Sequence, residues 1–399
     1  MHSACNLSGQ KNRGKLIIVI IFLLFCFWCS SCEGDGSDIH TTHHFQETGI
    51  LEINLDSLTS IDATSIIPSY FNDTLNLFIT NELNNSVDVY DEASKELKKR
   101  FRFEREGPDG ISQIRTTVVK NRDSIYVIGK FHIVNSKLIN WEGDIINGRP
   151  IDFAWSGNKY NIVNHVSNII QSGEFFYVTI GALFDINNPN SFDQSFSYEY
   201  RYDLKNQTLE ELPVYEPLSY VGQAHNFYSV VPSRTLDNNG WLIYSWPEEE
   251  MLEVRNIQNL DSVLRVDAHI NSFGMVLKGT VGKRSSKEQL KEALDHLLYI
   301  KILYDPFRNL YYRVASLPTG EYEPSDLRHW SAFGRNKIGI IAMNGNFDII
   351  GYTILKSEMY NCYRAFVGKK GLYISKNNIY RKDFNENLLE YSVFELVLD

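Results

Sequence analysis

Apolar residues in this chain come in short runs. From Gly49 onward, stretches rich in Ile, Val, Tyr and Phe alternate with clusters of Asn, Asp, Gly and Ser. β-Branched and aromatic side chains fill pleated, half-buried surfaces, so short runs broken by turn residues predict an all-β chain. One segment departs from that texture. After Ser285 and Ser286, with Glu288 or Gln289 placed to complete a capping box, Leu290, Ala293, Leu294, Leu297 and Leu298 follow at helical spacing. The pattern predicts one short inserted helix near 286–298.

The strands also repeat. A strand ending in an Asp or Asn turn and returning as a second strand recurs in "VDVYDEASKELKKRFRF" (87–103), "EYRYDLKNQTLEELPVY" (199–215), "LEVRNIQNLDSVLRV" (252–266), "IKILYDPFRNLYYRV" (300–314) and "NIYRKDFNENLLEYSVF" (378–394). With Asp91, Asn140, Asp203, Asn256 and Asp305 as turn markers, the spacing runs from 49 to 63 residues. A period near 50 in an all-β chain is that of a β-propeller blade of four strands, and the repeats predict six or seven blades over residues 49–399. The strand "GILEINLD" (49–56) is expected to pair with "SVFELVLD" (392–399), closing the ring and removing two free edges.

The N-terminal segment has a different character. Lys11, Arg13 and Lys15 precede the apolar run Leu16–Trp28, and no acidic residue occurs before Glu33. About 20 apolar residues are needed to cross the bilayer core, so a run this short suits an export signal better than a resident span. The residues that close it, Cys29-Ser30-Ser31-Cys32, resemble the bacterial lipobox, with Cys29 standing where an aliphatic residue is usual. That resemblance implies a signal peptide over 1–31, a diacylated Cys32 at the mature N-terminus and a flexible tether over 32–48. The acidic stretch Glu33–Asp38 resembles the tether of lipoproteins displayed on the outer membrane of Bacteroidota. His40, His43 and His44 are read as part of the same spacer, with loose metal binding as the alternative.

Cysteine and charge usage refine the picture. Of five cysteines, cleavage before Cys32 leaves Cys32 and Cys362, so no internal disulfide framework supports the exported domain and its core must hold it. Loss of residues 1–31 moves the formal charge from −10 to −13, and an acidic surface without a basic stripe argues against nucleic acid as a partner.

"FRFEREGPDGI" (101–111) resembles the turn after the outer hairpin in TolB-like six-bladed propeller lipoproteins. The set "YEPLSYVG" (215–222), "AHNFYSVVPSR" (224–234), "GWLIYSWPEEEMLEV" (240–254) and "ILYDPFRNLYYRV" (302–314) is similar to a family of Bacteroidota lipoproteins known as domain of unknown function 4221. The resemblance covers nearly the whole mature chain. It implies a fold and an extracytoplasmic address, and no activity.

Catalytic motifs are absent from the sequence: there is no G-x-S-x-G, H-E-x-x-H, Walker or Rossmann pattern. The remaining signal is a set of histidines expected at the start of the innermost strand of four successive units: His165, His225, His269 and His329, each followed closely by a serine, with Arg115 and Arg364 in similar places in two neighbouring units. If they ring a common axis, neutral imidazoles can hold a divalent metal, and imidazoles beside arginines can bind a carboxylate-bearing sugar or act as acid and base. Repetition of a hydrogen-bonded blade corner explains the same residues without any ligand. Trp141 and Trp246, each beside acids, offer rings for stacking on sugars or for packing, and the 185–193 loop offers oxygen donors to calcium. The expectation is a lipid-anchored binding or interaction module on the outer membrane, with a protein or carbohydrate ligand and no assigned cofactor. The rival reading is a metal-assisted propeller enzyme, a polysaccharide lyase or glycosidase, that uses the histidine ring.

Overall fold

The computed structural model describes residues 41–61, 65–129, 136–146, 159–161, 166–182, 185–226, 229–282, 284–319 and 336–399, and among them lie twenty-four strands, one α-helix and three short 3-10 turns. Cys32 and the rest of the N-terminal segment, together with His165 and His329, lie outside the described residues. No helix among the described residues is long and apolar enough to cross a membrane.

The strands assort into six antiparallel sheets in chain order, the blades of a six-bladed β-propeller. Strand β1 (His43–Asn54) is set apart from its neighbours in sequence. Blade 1 is β2 (Ile66–Phe71), β3 (Thr74–Asn81), β4 (Ser86–Asp91) and β5 (Leu97–Arg102). Blade 2 is β6 (Ile114–Asn121), β7 (Ser124–Gly129) and β8 (Lys137–Ile139), three strands among the described residues. Blade 3 is β10 (Ile170–Ser172), β11 (Phe175–Ala182), β12 (Glu199–Asp203) and β13 (Thr208–Glu211), with β9 (Lys159–Asn161) also paired to β11. Blade 4 is β14 (Ser233–Leu236), β15 (Trp241–Ser245), β16 (Met251–Asn256) and β17 (Asn259–Asp267). Blade 5 is β18 (Leu298–Asp305), β19 (Leu310–Ser316), β20 (Ile338–Met343) and β21 (Ile349–Leu355). Blade 6 is β22 (Asn361–Gly368), β23 (Gly371–Ser375) and β24 (Leu388–Leu398), completed on its outer edge by β1.

That last pairing closes the ring as the sequence predicts, with Ile50 opposite Ser392 and Leu51 opposite Tyr391. β1 begins earlier than expected. It starts at His43, inside the segment read as tether, because the register continues back through His44 and Val397 to His43 and Leu398.

The core lies between blades. Six apolar clusters each join one pair of neighbours: Phe78 and Val89 of blade 1 meet Ile125 and Val127 of blade 2, and the last cluster joins Tyr391 of blade 6 to Leu77 of blade 1. Facing sheets pack about 10 Å apart, so every blade needs apolar residues on both faces, which is why the strands are so rich in aromatic and β-branched residues.

The predicted helix is α1 (Ser286–Asp295). Ser285 caps it and exchanges hydrogen bonds with Glu288 in a full capping box, while Leu297 and Leu298 pass on into the start of blade 5. The turn markers are largely confirmed. The side chains of Asp91, Asn140, Asp203 and Asn256 accept backbone N–H bonds from residues two to four positions on, at the turn after the third strand of blades 1 to 4. Asp305 makes the same local turn but after the first strand of blade 5, and Asn344 occupies the third-strand place. The repeats in the sequence therefore fall on two different hairpins, and their spacing is compatible with six or with seven blades.

These antiparallel strands make the two ends of the propeller unequal. Among the described residues, the turns from first to second strand and from third to fourth are short: Asn72 and Asp73, both with positive φ, make a two-residue hairpin between β2 and β3. All connections from second to third strand, and from one blade to the next, fall at the other end, where the inner strands begin. That end carries the long segments 55–65, 103–113, 212–232 and 268–297, with α1 in the last.

Candidate functional site

Both described histidines of the expected ring belong to blade-to-blade connections at the long-loop end, but neither faces the axis. His225 is fully buried in the segment before β14. Its ring stacks on Tyr220 at 4.2 Å and meets the edge of Phe192 at 4.5 Å, placing it in the cluster between blades 3 and 4. Nδ1 lies 2.8 Å from Glu248 Oε2 and Nε2 lies 3.0 Å from the Tyr220 carbonyl. Both ring nitrogens are thus already taken up by oxygens of the protein in a fully buried site, which leaves neither turned toward a metal. The second Glu248 oxygen takes the Ser229 hydroxyl, Lys278 Nζ donates to the Glu248 carbonyl at 3.1 Å, and the Tyr220 hydroxyl donates to the Ser229 carbonyl at 3.1 Å. The serine that follows each histidine is here a second ligand of one carboxylate.

His269 follows β17 and leans on the next interface. Its Nδ1 lies 2.9 Å from the Tyr299 hydroxyl, and burial lowers its pKa despite the nearby Glu250 and Asp267 carboxylates. Arg313 covers the Tyr299 ring, 3.3 Å from its centroid, and donates to the carbonyls of Glu249 at 2.6 Å and Ala268 at 3.0 Å; burial lowers its pKa to about 10. His225 and His269 therefore lock different blade interfaces, and 28 residues, a helix among them, separate His269 from its inner strand. His329 falls in sequence between β19 and β20, two strands of a single blade, so the four histidines do not occupy one repeated position. Among the described residues no three His, Cys, Asp or Glu side chains are grouped to hold a metal.

The arginines fit the expectation better. Arg115 and Arg364 both lie on inner strands, β6 and β22. Arg115 pairs with Glu82 at 3.0 Å, whose other oxygen accepts from Gln113 at 2.7 Å. Arg364 donates to the Ile61 carbonyl and lines a small cavity with Lys301 and Asn168. Lys301 was missed in the sequence, although a lysine within the otherwise apolar strand "LYIKILY" is itself a signal.

The other motifs resolve as packing. Trp246 is fully buried against Tyr198 and Tyr220, and Trp141 is half-buried among Phe71, Phe78 and Phe101 with the Arg122 guanidinium over its ring. In the 185–193 loop, Asp185, Asn188 and Asp193 spend side-chain oxygens on backbone amides of their own turns. Cys362 is a free, buried thiol.

What the long-loop end does offer is surface. A groove of about 500 Å³ runs along blade 1 between Leu83 and Asn84 on one side and Arg102, Glu104 and Glu106 on the other. Leu83 (80% exposed), Leu218 (66%), Met275 (78%) and Val281 (86%) are four of the five most exposed large apolar side chains among the described residues; all four lie at this end, the last three on long connections and Leu83 on the short link between β3 and β4.

The sequence matches the family described as domain of unknown function DUF4221 over residues 42–351. No curated protein matches it. Among solved structures it is similar to a DUF4221 member from Bacteroides vulgatus, at 19% identity and a TM-score of 0.77, covering 90% of this chain and 99% of that one. More distant likenesses include an exported protein from Bacteroides fragilis (8% identity, TM-score 0.47, 89% and 95% of the two chains) and a luciferin-regenerating enzyme (10% identity, TM-score 0.42, 88% and 95%). With the family matched across most of its length and the six blades in place, this chain belongs to the DUF4221 family of β-propellers.

Proposed function

We propose that this propeller is a lipid-anchored module of the outer membrane, tethered through Cys32, that binds a protein or carbohydrate polymer at its long-loop end and does not transform it. The observation that carries the reading is the inequality of the two ends: short, self-capped turns at one, and at the other the long connections, the groove beside blade 1 and four highly exposed apolar side chains. A rigid ring that gathers its long loops at one end presents them as a recognition surface, and apolar side chains rimmed by charge are the usual composition of one. The engagement of both His225 nitrogens supports binding over metal-assisted chemistry at that position.

The test is a binding titration of the full-length chain in detergent against immobilised cell-surface polysaccharides and peptides, with product release followed in the same wells. Leu83→Asp combined with Arg102→Glu should abolish binding, while Phe307→Ala at the short-turn end should preserve it. Binding indifferent to the long-loop variant, or release of a cleaved product, would overturn the reading. For the anchor, Cys32→Ala should abolish incorporation of labelled fatty acid; retained label would refute it.

A further inference from the structure

The strand that closes the ring also fixes where the chain enters it. β1 is antiparallel to β24, with His43 opposite Leu398 and Asn54 opposite Leu388. β24 is the third strand of blade 6 and follows a second-to-third connection, so Leu388 stands at the long-loop end and Leu398 at the short-turn end. His43 is therefore at the short-turn rim. Contacts outside the β1–β24 ladder agree. Thr42 N–H donates at 3.1 Å to the Ile350 carbonyl, just past the short turn between β20 and β21. Asp399 N–H donates to the Thr42 carbonyl at 3.1 Å, and the His44 ring lies 2.8 Å from the Asp399 carboxylate.

Ten residues lead from Cys32 to Thr42. A segment of that length reaches at most about 36 Å when fully extended. A random coil of the same length averages roughly 16–19 Å from end to end. β1 has 12 residues and covers about 36 Å between the two rims at about 3.3 Å per residue. To bring the long-loop end down onto the bilayer, the segment would have to double back along the whole blade, pulled straight at about twice its average span. We propose that the short-turn end faces the bilayer and that the long-loop end, with the groove and the exposed Leu218, Met275 and Val281, is held away from it. This orientation rests on the acyl anchor at Cys32 proposed above. It also narrows the partner to a polymer or protein that arrives from the solvent side, and not a lipid or integral protein of the anchoring membrane.

Energy transfer from a single dye to labelled lipid tests this, with the acylated protein purified from membranes and placed on vesicles of phosphatidylethanolamine and phosphatidylglycerol. Gln258→Cys puts the dye on the turn between β16 and β17 at the short-turn end, and Lys287→Cys puts it on α1 at the long-loop end. Both side chains are exposed, while Cys362 is buried and escapes the dye. Transfer should be several-fold stronger from Gln258→Cys than from Lys287→Cys. Inserting about 20 Gly and Ser residues after Asp38 should shrink that difference, because the longer segment no longer holds one end down. Equal or reversed transfer in protein that sediments with the vesicles, or a difference untouched by the insertion, would overturn the orientation alone. Unaltered protein that does not sediment, or Cys32→Ala that still does, would refute the anchor and the orientation with it.

Discussion

Where the ring closes, a charged clasp joins the segment after β1 to blade 1, and Arg100→Met is the perturbation that isolates it. Arg100 donates from Nε to Asp88 Oδ1 at 2.6 Å and from Nη1 and Nη2 to the two oxygens of Asp56 at 2.9 Å each. Thr59 hydrogen-bonds Asp56 at 2.7 Å, Asp88 at 2.9 Å and the Tyr90 hydroxyl at 2.8 Å. Asp88 has no exposed side-chain surface, whereas Asp56 keeps 35% of its own. Removing Arg100 leaves Asp88 as a buried carboxylate without a cation, a loss of about 3–5 kcal/mol in buried pairs. Ser86, Thr59 and Asn81 still donate to Asp88, which places the expected cost near the lower end, at about 3 kcal/mol. The half-exposed Asp56 pair adds less than about 1 kcal/mol, because solvent screens it.

The pH dependence follows from Asp56. The Arg100 guanidinium, with help from Thr59 and Tyr90, holds its carboxyl far below the ordinary value of 3.8. A depressed carboxylate contributes stability that is complete above the unfolded pKa and lost as the pH falls through the folded one. The gap between the original protein and Arg100→Met should therefore be full at pH 7 and narrow progressively below about pH 4. Urea unfolding at several pH values measures it, and Asp88→Asn added to Arg100→Met should recover part of the loss. A cost under about 1 kcal/mol at pH 7, or a gap that widens with acid, would refute the clasp.

Other substitutions report on the remaining features. His225→Ala should destabilise by roughly 3 kcal/mol, since it strips the buried Glu248 of its pairing partner and leaves a cavity between Tyr220 and Phe192, yet leave the metal content of the purified protein unchanged by elemental analysis. A stoichiometric metal lost in that variant would restore the metal reading. Gly279→Ala places a methyl group 2.6 Å from His225 Cε1 and should lower stability by about 1–3 kcal/mol in thermal unfolding, because the imidazole is fixed by the stacked Tyr220 ring, the Phe192 contact and partners on both ring nitrogens. Ile53→Ala in the closing strand, at a position with no exposure, should cost roughly 2–5 kcal/mol by urea unfolding if β1 completes the core of blade 6.

The contrast between Asp305 and His225 shows what a sequence can tell. Asp305 was recognisable as a turn residue because an Asx turn is made within four residues, but which hairpin it ends depends on strands as far away as β21, and the helix and long connections of blade 5 hide that. His225 looked like one member of a repeated set because histidine followed by serine recurs. Its actual partner, Glu248, stands 23 residues away on another connection, and nothing in the local spacing announces it. Lys301 is the reverse case: its oddness in an apolar strand is visible in the sequence, while its partner, the Ala365 carbonyl 64 residues on, is supplied by the neighbouring blade.

Local chemistry was thus decided by the sequence alone: the strand texture, the Asx turns, the Ser285–Glu288 capping box, the repeat length near 50 and the complementary end strands that close the ring. These depend on interactions within a few residues or on a pattern long enough to register statistically. Only the tertiary structure decided the number of blades, the gathering of long loops at one end, the burial of His225 and the docking of Lys301 on the Ala365 carbonyl of the next blade. Those are contacts between residues tens to hundreds of positions apart, and their geometry exists only once the sheets have twisted and packed into a ring.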